Sequence, residues 1–190
     1  PVNGAAAAAT IIGSGATLSA DAAATLTGSA TLTTLSASAG TLEINGTPIA
    51  IGAGNNAATV QASINAQTGT TGVTATLSGT DKLVLTSADA DTNITIGGGS
   101  TLAVLSDLGL SVGTTNATNI LTQSGASAGQ TLTFTVGANP PLTITFGTGI
   151  GQVSTLADLN TALAALVGGI ATASAATGDI TVTAGTVTDQ

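Results

Sequence analysis

The sequence predicts an α+β fold of two tandem β-β-α-β-β subdomains, with short helices packed on small antiparallel sheets. Three observations lead there. Apolar residues alternate with polar ones in short runs, turn dipeptides punctuate those runs, and the same order of elements recurs later in the chain.

Alternation is clearest from Thr41. Leu42 and Ile44 point one way, Thr41 and Glu43 the other. Asn45-Gly46 follows, a strong hairpin signal because both central positions of a type I′ turn need positive φ. Ile49 and Ile51 then alternate with Ala50, so 41–51 reads as a tight hairpin. Asn56 is placed to cap a helix. Its apolar stripe is Ala57, Val60 and Ile64, with Gln61 beside them, and Gly69 and Gly72 are expected to end it. Val73, Ala75 and Leu77 form one closing strand. Leu83 and Leu85 flank Val84 in the next, after a Ser78-Gly79-Thr80-Asp81 turn.

The second copy repeats this order. Leu132, Phe134 and Val136 form a strand, Asn139-Pro140-Pro141 a turn, and Leu142, Ile144 and Phe146 the partner strand. Ser154 is expected to cap a helix carrying Leu156, Leu159, Leu163 and Leu166, with Asp158 near its positive end. Gly168-Gly169 stops that helix. Strands follow over 170–175 and 180–183, joined through Thr177-Gly178-Asp179. Thr41 corresponds to Thr131 and Leu83 to Ile180, so the second copy is a few residues longer.

Between the copies, Leu102, Leu105 and Leu108 suggest a short helix closed by Gly109, and 116–130 reads as a linker or a wandering edge strand. The expected domains are a lead-in segment over 1–40, a first subdomain over 41–113, a linker over 114–128 and a second subdomain over 129–190. The lead-in carries Ile11, Ile12, Leu18, Leu26, Leu32 and Leu35 as its larger apolar anchors, and reads either as part of a further repeat or as a stalk. The expected core is Ile44, Ile51, Val60, Ile64, Val73, Leu85, Phe134, Ile144, Leu159, Leu163 and Ile180.

Composition narrows the function. The chain has no His, Cys, Trp, Tyr or Met, and its single basic side chain is Lys82. Without His or Cys, neither Ser-His-Asp nor Cys-His nucleophile systems can be built, and zinc or soft-metal sites lack ligands. The formal charge of −8 opposes duplex phosphates and anionic lipid surfaces. Charged residues make up 5% of the chain where ordinary domains carry about a quarter. At 43% apolar it nonetheless has the means to bury a core, unlike charge-rich disordered chains. The uncharged stretch between Asp107 and Asp158 is interrupted throughout by Thr, Gly, Asn and Gln, so no membrane span is expected. Ala5 to Ala9 follows no basic region, so no signal peptide is expected either. The start at Pro1 suggests a piece of something longer.

Four local patterns invite a functional reading. Asp89-Ala-Asp91-Thr-Asn93 opens like a calcium-binding EF-hand loop, but the positions that need Gly and Glu hold Ile94 and Ser100. Gly97-Gly98-Gly99-Ser100-Thr101 has the glycine density of a phosphate loop without its lysine. Asp81 beside Lys82 reads as turn chemistry, and Asn93-Ile94-Thr95 matches a glycosylation acceptor pattern. No catalytic, cofactor-binding or metal residue is assigned from these, and no cofactor is expected.

The segment Thr41-Leu-Glu-Ile-Asn-Gly-Thr-Pro-Ile-Ala-Ile51 resembles the hook IN motif of bacterial flagellins and hook-associated proteins. Ala58-Thr-Val-Gln-Ala-Ser-Ile-Asn-Ala-Gln67 is similar to the motif's helix, and Gly72 to Leu77 and Leu83 to Ser87 to its closing hairpin. Leu105-Ser-Asp-Leu-Gly-Leu110 is similar to a segment that often trails it. The stretch from Gln130 to Thr183 resembles flagellin variable-region sequence. The resemblance spans roughly 41–185. It implies a structural, non-enzymatic protein: the solvent-facing outer domain of an extracellular flagellar filament subunit, contributing to the filament surface and motility. Its implied partners are neighbouring copies in a helical filament, with no nucleic acid, no membrane insertion, and glycans unassigned. Flagellins also bear long helical terminal segments, absent here, so the chain is expected to be the outer domains alone. The alternatives are a hook-associated flagellar protein and a repeat module of a surface adhesin. A carbohydrate-active enzyme would have to rely on carboxylates such as Asp81, Asp89, Asp91 and Asp179.

Overall fold

The computed structural model describes residues 9–11, 20–123, 126–174 and 180–184. Strands and helices alternate along them. In chain order they are β1 (Ala9–Ile11), β2 (Thr25–Thr27), β3 (Gly40–Ile44), β4 (Thr47–Ile51), α1 (Ala57–Asn65), α2 (Thr68–Thr71), β5 (Val73–Leu77), β6 (Leu83–Ser87), β7 (Ile94–Ile96), α3 (Leu102–Leu108), β8 (Gly113–Thr115), α4 (Ile120–Gln123), β9 (Thr131–Phe134), β10 (Leu142–Thr145), α5 (Leu156–Leu163), β11 (Gly169–Ala173) and β12 (Ile180–Ala184). The fold is α+β, with short helices on small antiparallel sheets. Two compact units emerge: Ala22–Ala117, and the described parts of Pro1–Asp21 with Thr118–Gln190.

The 22–117 unit holds two sheets, ordered β4-β3-β7-β8 and β2-β6-β5. The β3–β4 hairpin pairs Ile44 with Thr47, leaving Asn45 and Gly46 as a two-residue loop. Their φ values are +48° and +76°, the signs a type I′ turn requires. Leu42, Ile44, Ile49 and Ile51 face inward from this hairpin and are fully buried or nearly so. Val60 and Ile64 of α1 join them in one core, with Val73, Leu83 and Leu85 from β5 and β6 and Ile94 and Ile96 from β7 of the hairpin's own sheet. Each such aliphatic side chain contributes about 1.5–3 kcal/mol on leaving water, which lets a core with no aromatic side chain hold. Asn56 caps α1 by accepting from Thr59 N at 2.9 Å.

Residues 22–39 contribute directly to this unit. β2 pairs antiparallel with β6, Leu26 opposite Leu85. Leu32 and Ala37 are buried in the core, while Leu26 and Leu35 pack against it. Ile11 lies in β1, and Ile12 and Leu18 lie outside the described residues.

The other unit holds a two-stranded β9–β10 hairpin and a three-stranded sheet ordered β1-β12-β11. A lone hairpin is marginal in water, and this one is covered by α5. Phe134 and Ile144 from the hairpin and Leu159 and Leu163 from the helix form its buried centre, joined by Val153, Leu166 and Ala171. β1 pairs with β12, Ile11 opposite Ile180, so a strand from the start of the chain closes a sheet made near its end. Asp21 also joins this unit: its carboxylate accepts from Leu156 N at 2.7 Å, at the positive end of α5.

Several expectations change in detail. Gly69 lies inside α2, and Gly72, at φ +66°, ends that second helix. The cap of α5 is Thr155, which accepts from Asp158 N; Ser154 is buried and gives its carbonyl to Ile120 N. The α5 helix stops at Leu163, so Leu166 reaches the core from the loop beyond it. Leu102 is 81% exposed, and the buried stripe of α3 is Val104, Leu105 and Leu108. Val136 falls beyond β9, and Phe146, just past β10, bonds Gln130 O through its N–H while bridging Val153 in parallel. Ile180 is half-buried against the second core, and every other expected core residue is buried. The 116–130 stretch includes α4, with Ile120 buried. The 177–179 turn lies outside the described residues.

One device recurs in both units. β5 and β11 are sheet edges, whose outward main-chain groups need partners. Asn65 accepts from Ala75 N at 2.7 Å and donates to Ala75 O at 3.0 Å. Asn160 accepts from Ala173 N at 2.8 Å and donates to Ala173 O at 3.2 Å. An asparagine on each helix therefore completes an edge strand with the two bonds a neighbouring strand would have made. Asn65→Ala and Asn160→Ala are each expected to lower stability by about 1–2 kcal/mol in urea unfolding; Asn160→Ala strands both Ala173 groups, whereas Asn65→Ala strands Ala75 N and leaves Ala75 O with Gln61 Nε2 at 3.1 Å. Asn→Gln at the same sites should recover little, since the amide would overshoot the strand.

Candidate functional site

The described residues are best organised around the β3–β4 turn. Asn45 uses its main chain and its side chain together. Its N–H donates to Thr95 O at 2.9 Å, and its Oδ1 accepts from Thr95 N at 2.7 Å. Its Nδ2 donates to Thr71 O and to Asn93 O, both at 2.8 Å. The turn residue thus joins the hairpin to the end of α2 and to β7. Sequence reading found the turn and missed this second role. The available signal was the turn's own chemistry, since aspartate or glycine would make the same turn without two amide donors.

The glycine-rich loop lies beside the same hairpin and already has its anion. Gly99 N donates to Glu43 Oε2 at 2.7 Å, and Gly97 N donates to Glu43 O at 2.9 Å. A Cβ at Gly97 or Gly99 would collide with the Glu43 carboxyl group. Ser100 Oγ accepts from Glu43 N, and Thr101 Oγ1 from Thr41 N. The loop therefore wraps an internal carboxylate and extends the pairing of β3. The glycines are small because Glu43 is there, and the helix that follows, α3, has no side-chain cap because Thr101 is turned to β3.

The acidic positions are similarly committed. Asp89 Oδ1 accepts from Asp91 N at 3.0 Å, and Asp89 O accepts from Ser87 Oγ. A hydrogen bond from the Thr92 hydroxyl holds the Asp89 carboxyl below its ordinary 3.8, against a slight desolvation, with help from the Asp91 and Thr92 N–H groups. Ile94 is fully buried as the first residue of β7, so the chain cannot wrap there as a calcium loop would. Asp81 has φ +54°; its carboxylate accepts from Thr33 Oγ1 at 2.8 Å and its carbonyl from Leu32 N. It fastens the lead-in residues, and Lys82 N returns to Ser78 Oγ within the same turn. Asp179 lies outside the described residues. In the glycosylation-type pattern, Asn93 Oδ1 accepts from Ala117 N and Thr95 Oγ1 bonds Thr114 Oγ1.

Among the described residues, no group of three or more acidic side chains could hold a metal ion. No helix among them is long and apolar enough to cross a membrane. Open depressions among the described residues include one of about 320 Å³ beside Leu32, Asn56 and Asp81 and one of about 290 Å³ beside Gln152, Asp158 and Thr161. The first places the Thr33 hydroxyl on the Asp81 carboxylate at 2.8 Å, the bond that fastens the lead-in residues, and neither depression holds a histidine or cysteine.

The elements from β2 to the Asp89 turn thus form a hairpin, a helix and a second hairpin around one core. Residues 25–89 match the family model of the flagellin hook IN motif. No curated protein and no solved structure matches the chain. The match begins at β2, ahead of the Thr41 hairpin, and ends before β7, so it lies within the 22–117 unit without spanning it and does not reach the other unit. The match covers less than half of the chain and is consistent with a flagellin-type domain at those residues.

Two outcomes test this geometry. Gly97→Ala should displace the Glu43 carboxylate and cost about 1–2 kcal/mol, and the same change in a Glu43→Ala background should cost distinctly less. A double-mutant cycle by urea unfolding reads the coupling, which vanishes if loop and carboxylate are independent. Asp89 supplies a pH test. Its folded-state pKa is lowered, so its contribution is present above the unfolded value and is lost as pH falls through the folded one. Asp89→Asn should therefore be less stable than the parent at neutral pH and lose less on acidification below about pH 4, as followed by thermal unfolding.

Proposed function

We propose that this chain is the solvent-facing outer region of a flagellar filament subunit, built from two hook-IN-like copies, 41–113 and 129–190, with 1–40 as lead-in and 114–128 as linker. The single observation that carries this reading is the hook IN motif over 25–89. The second unit supports it, because hairpin, helix and hairpin follow one another there in the same order, and an asparagine of the helix completes the closing strand in both. Such a region needs stability and solubility and no reactive groups. Its acidic balance discourages nonspecific adhesion, and its polar faces are built from neutral hydroxyls and amides. Its partners would be neighbouring copies of the same subunit, and its place the outside of the cell, on the flagellum, where it would serve motility by forming the filament surface.

Antibodies raised against the chain, applied to isolated flagella under the electron microscope, test the proposal. Labelling along the whole filament is the expected result. Labelling confined to the junction between hook and filament would make the chain part of a hook-associated protein. Labelling of the cell surface with bare filaments would make it an adhesin module.

A further inference from the structure

The Asn45-Gly46 turn combines a reactive sequence with an unreactive posture. Asparagine followed by glycine loses its side-chain amide readily in a flexible chain, because glycine has no Cβ to hinder approach of its nitrogen and leaves the backbone free to bend. The Gly46 main-chain nitrogen attacks Cγ of Asn45. The N–Cγ bond forms, the Cγ–Nδ2 bond breaks, and ammonia leaves with the proton from the Gly46 nitrogen. Water then opens the five-membered imide at one carbonyl or the other, giving aspartate or isoaspartate at position 45. Water enters and ammonia leaves, with no change in oxidation state.

The fold opposes each part of that step. The leaving nitrogen, Nδ2, is held by two carbonyl oxygens at 2.8 Å. The carbonyl oxygen on Cγ is held by Thr95 N at 2.7 Å, so turning Cγ toward the Gly46 nitrogen breaks that bond. The Asn45 N–H, bonded to Thr95 O, fixes the backbone on the other side. Access is not what protects it, because a Cβ built on Gly46 meets nothing within 4 Å. The protection lies in the amide's three partners. The products also fit badly. Aspartate would set a carboxylate oxygen against the Thr71 and Asn93 carbonyls, acceptor against acceptor, and isoaspartate would add a main-chain carbon to a two-residue turn.

The geometry points to Asn45 as a modification site switched by folding: its amide is kept while the 22–117 unit is folded, is lost from the unfolded chain, and once lost leaves that chain unable to rebuild the turn's full set of hydrogen bonds. The inference stands on the hydrogen bonds alone and is independent of where the protein resides.

The test follows conversion at position 45 by mass-spectrometric peptide mapping with enzymatic detection of isoaspartate. The full chain is held at mildly alkaline pH with and without urea. Asn3-Gly4, the other such pair in the sequence, calibrates the chemical rate in urea. Conversion at Asn45 is expected to be at least about tenfold slower in the folded chain, since reaction must wait for local opening. Equal rates with and without urea would overturn the proposal. Chains converted in urea and then diluted into buffer should fail to regain the far-ultraviolet dichroism and melting temperature of the parent. Full recovery would overturn the second half. Asn45→Asp isolates the ordinary aspartate product and should melt lower than the parent; an unchanged melting temperature would remove the carbonyl-repulsion argument.

Discussion

Asn45 ties together three segments: its own hairpin, β7 and the end of α2. β3 and β7 share a single ladder position, Ile44 opposite Ile96, and the strands part company just beyond it. The Asn45 side chain continues that ladder by taking Thr95 N, while its own N–H takes Thr95 O. Its amide nitrogen then reaches the end of α2, which leads into β5 of the other sheet. Without it, the four-stranded sheet loses its joint at the turn, and the carbonyls of Thr71 and Asn93 lose their donors. The core cannot compensate by bulk, because it is made of aliphatic side chains and alanines that contribute modestly one by one.

That dependence on side chains as stand-ins for strands runs through the chain. Its sheets have two to four strands, and small sheets have many edges for their size. Ordinary proteins blunt such edges with lysine or other charges. Here charged residues are too few, so amides and hydroxyls do it: Asn65 and Asn160 on the helices, Ser87 accepting from Ala24 N, Ser100 and Thr101 along β3. These groups satisfy main-chain polarity in place and leave a surface with little reactive chemistry. A structural domain carrying the hook IN motif has use for such a surface.

The glycine-rich loop shows how the same economy imitates a binding site. Glycines beside a helix N-terminus suggest an anion, and an anion is indeed bound. It is the chain's own Glu43, delivered by β3 from fifty-six positions away. The loop's smallness therefore reports internal packing, and the Asp89 turn likewise spends its carboxylate on its own backbone N–H groups.

By itself the sequence determined the α+β class, both hairpins of the first unit, the N-cap and apolar stripe of its helix, nearly all the core, and the absence of the side chains that most catalysis requires. These are local matters: alternation, turn dipeptides and helical spacing act over a few residues, and composition acts everywhere. Only the tertiary structure decided the rest. That β2 joins β6, that β1 closes the sheet of β11 and β12, and that Asp21 meets α5 depend on pairings across 57 to 173 residues, which no local pattern encodes. The second roles of Asn45, Asn65, Asn160 and Glu43 were hidden for the same reason. A polar side chain announces its capacity for hydrogen bonds, but its partner is fixed only when distant main chain arrives beside it.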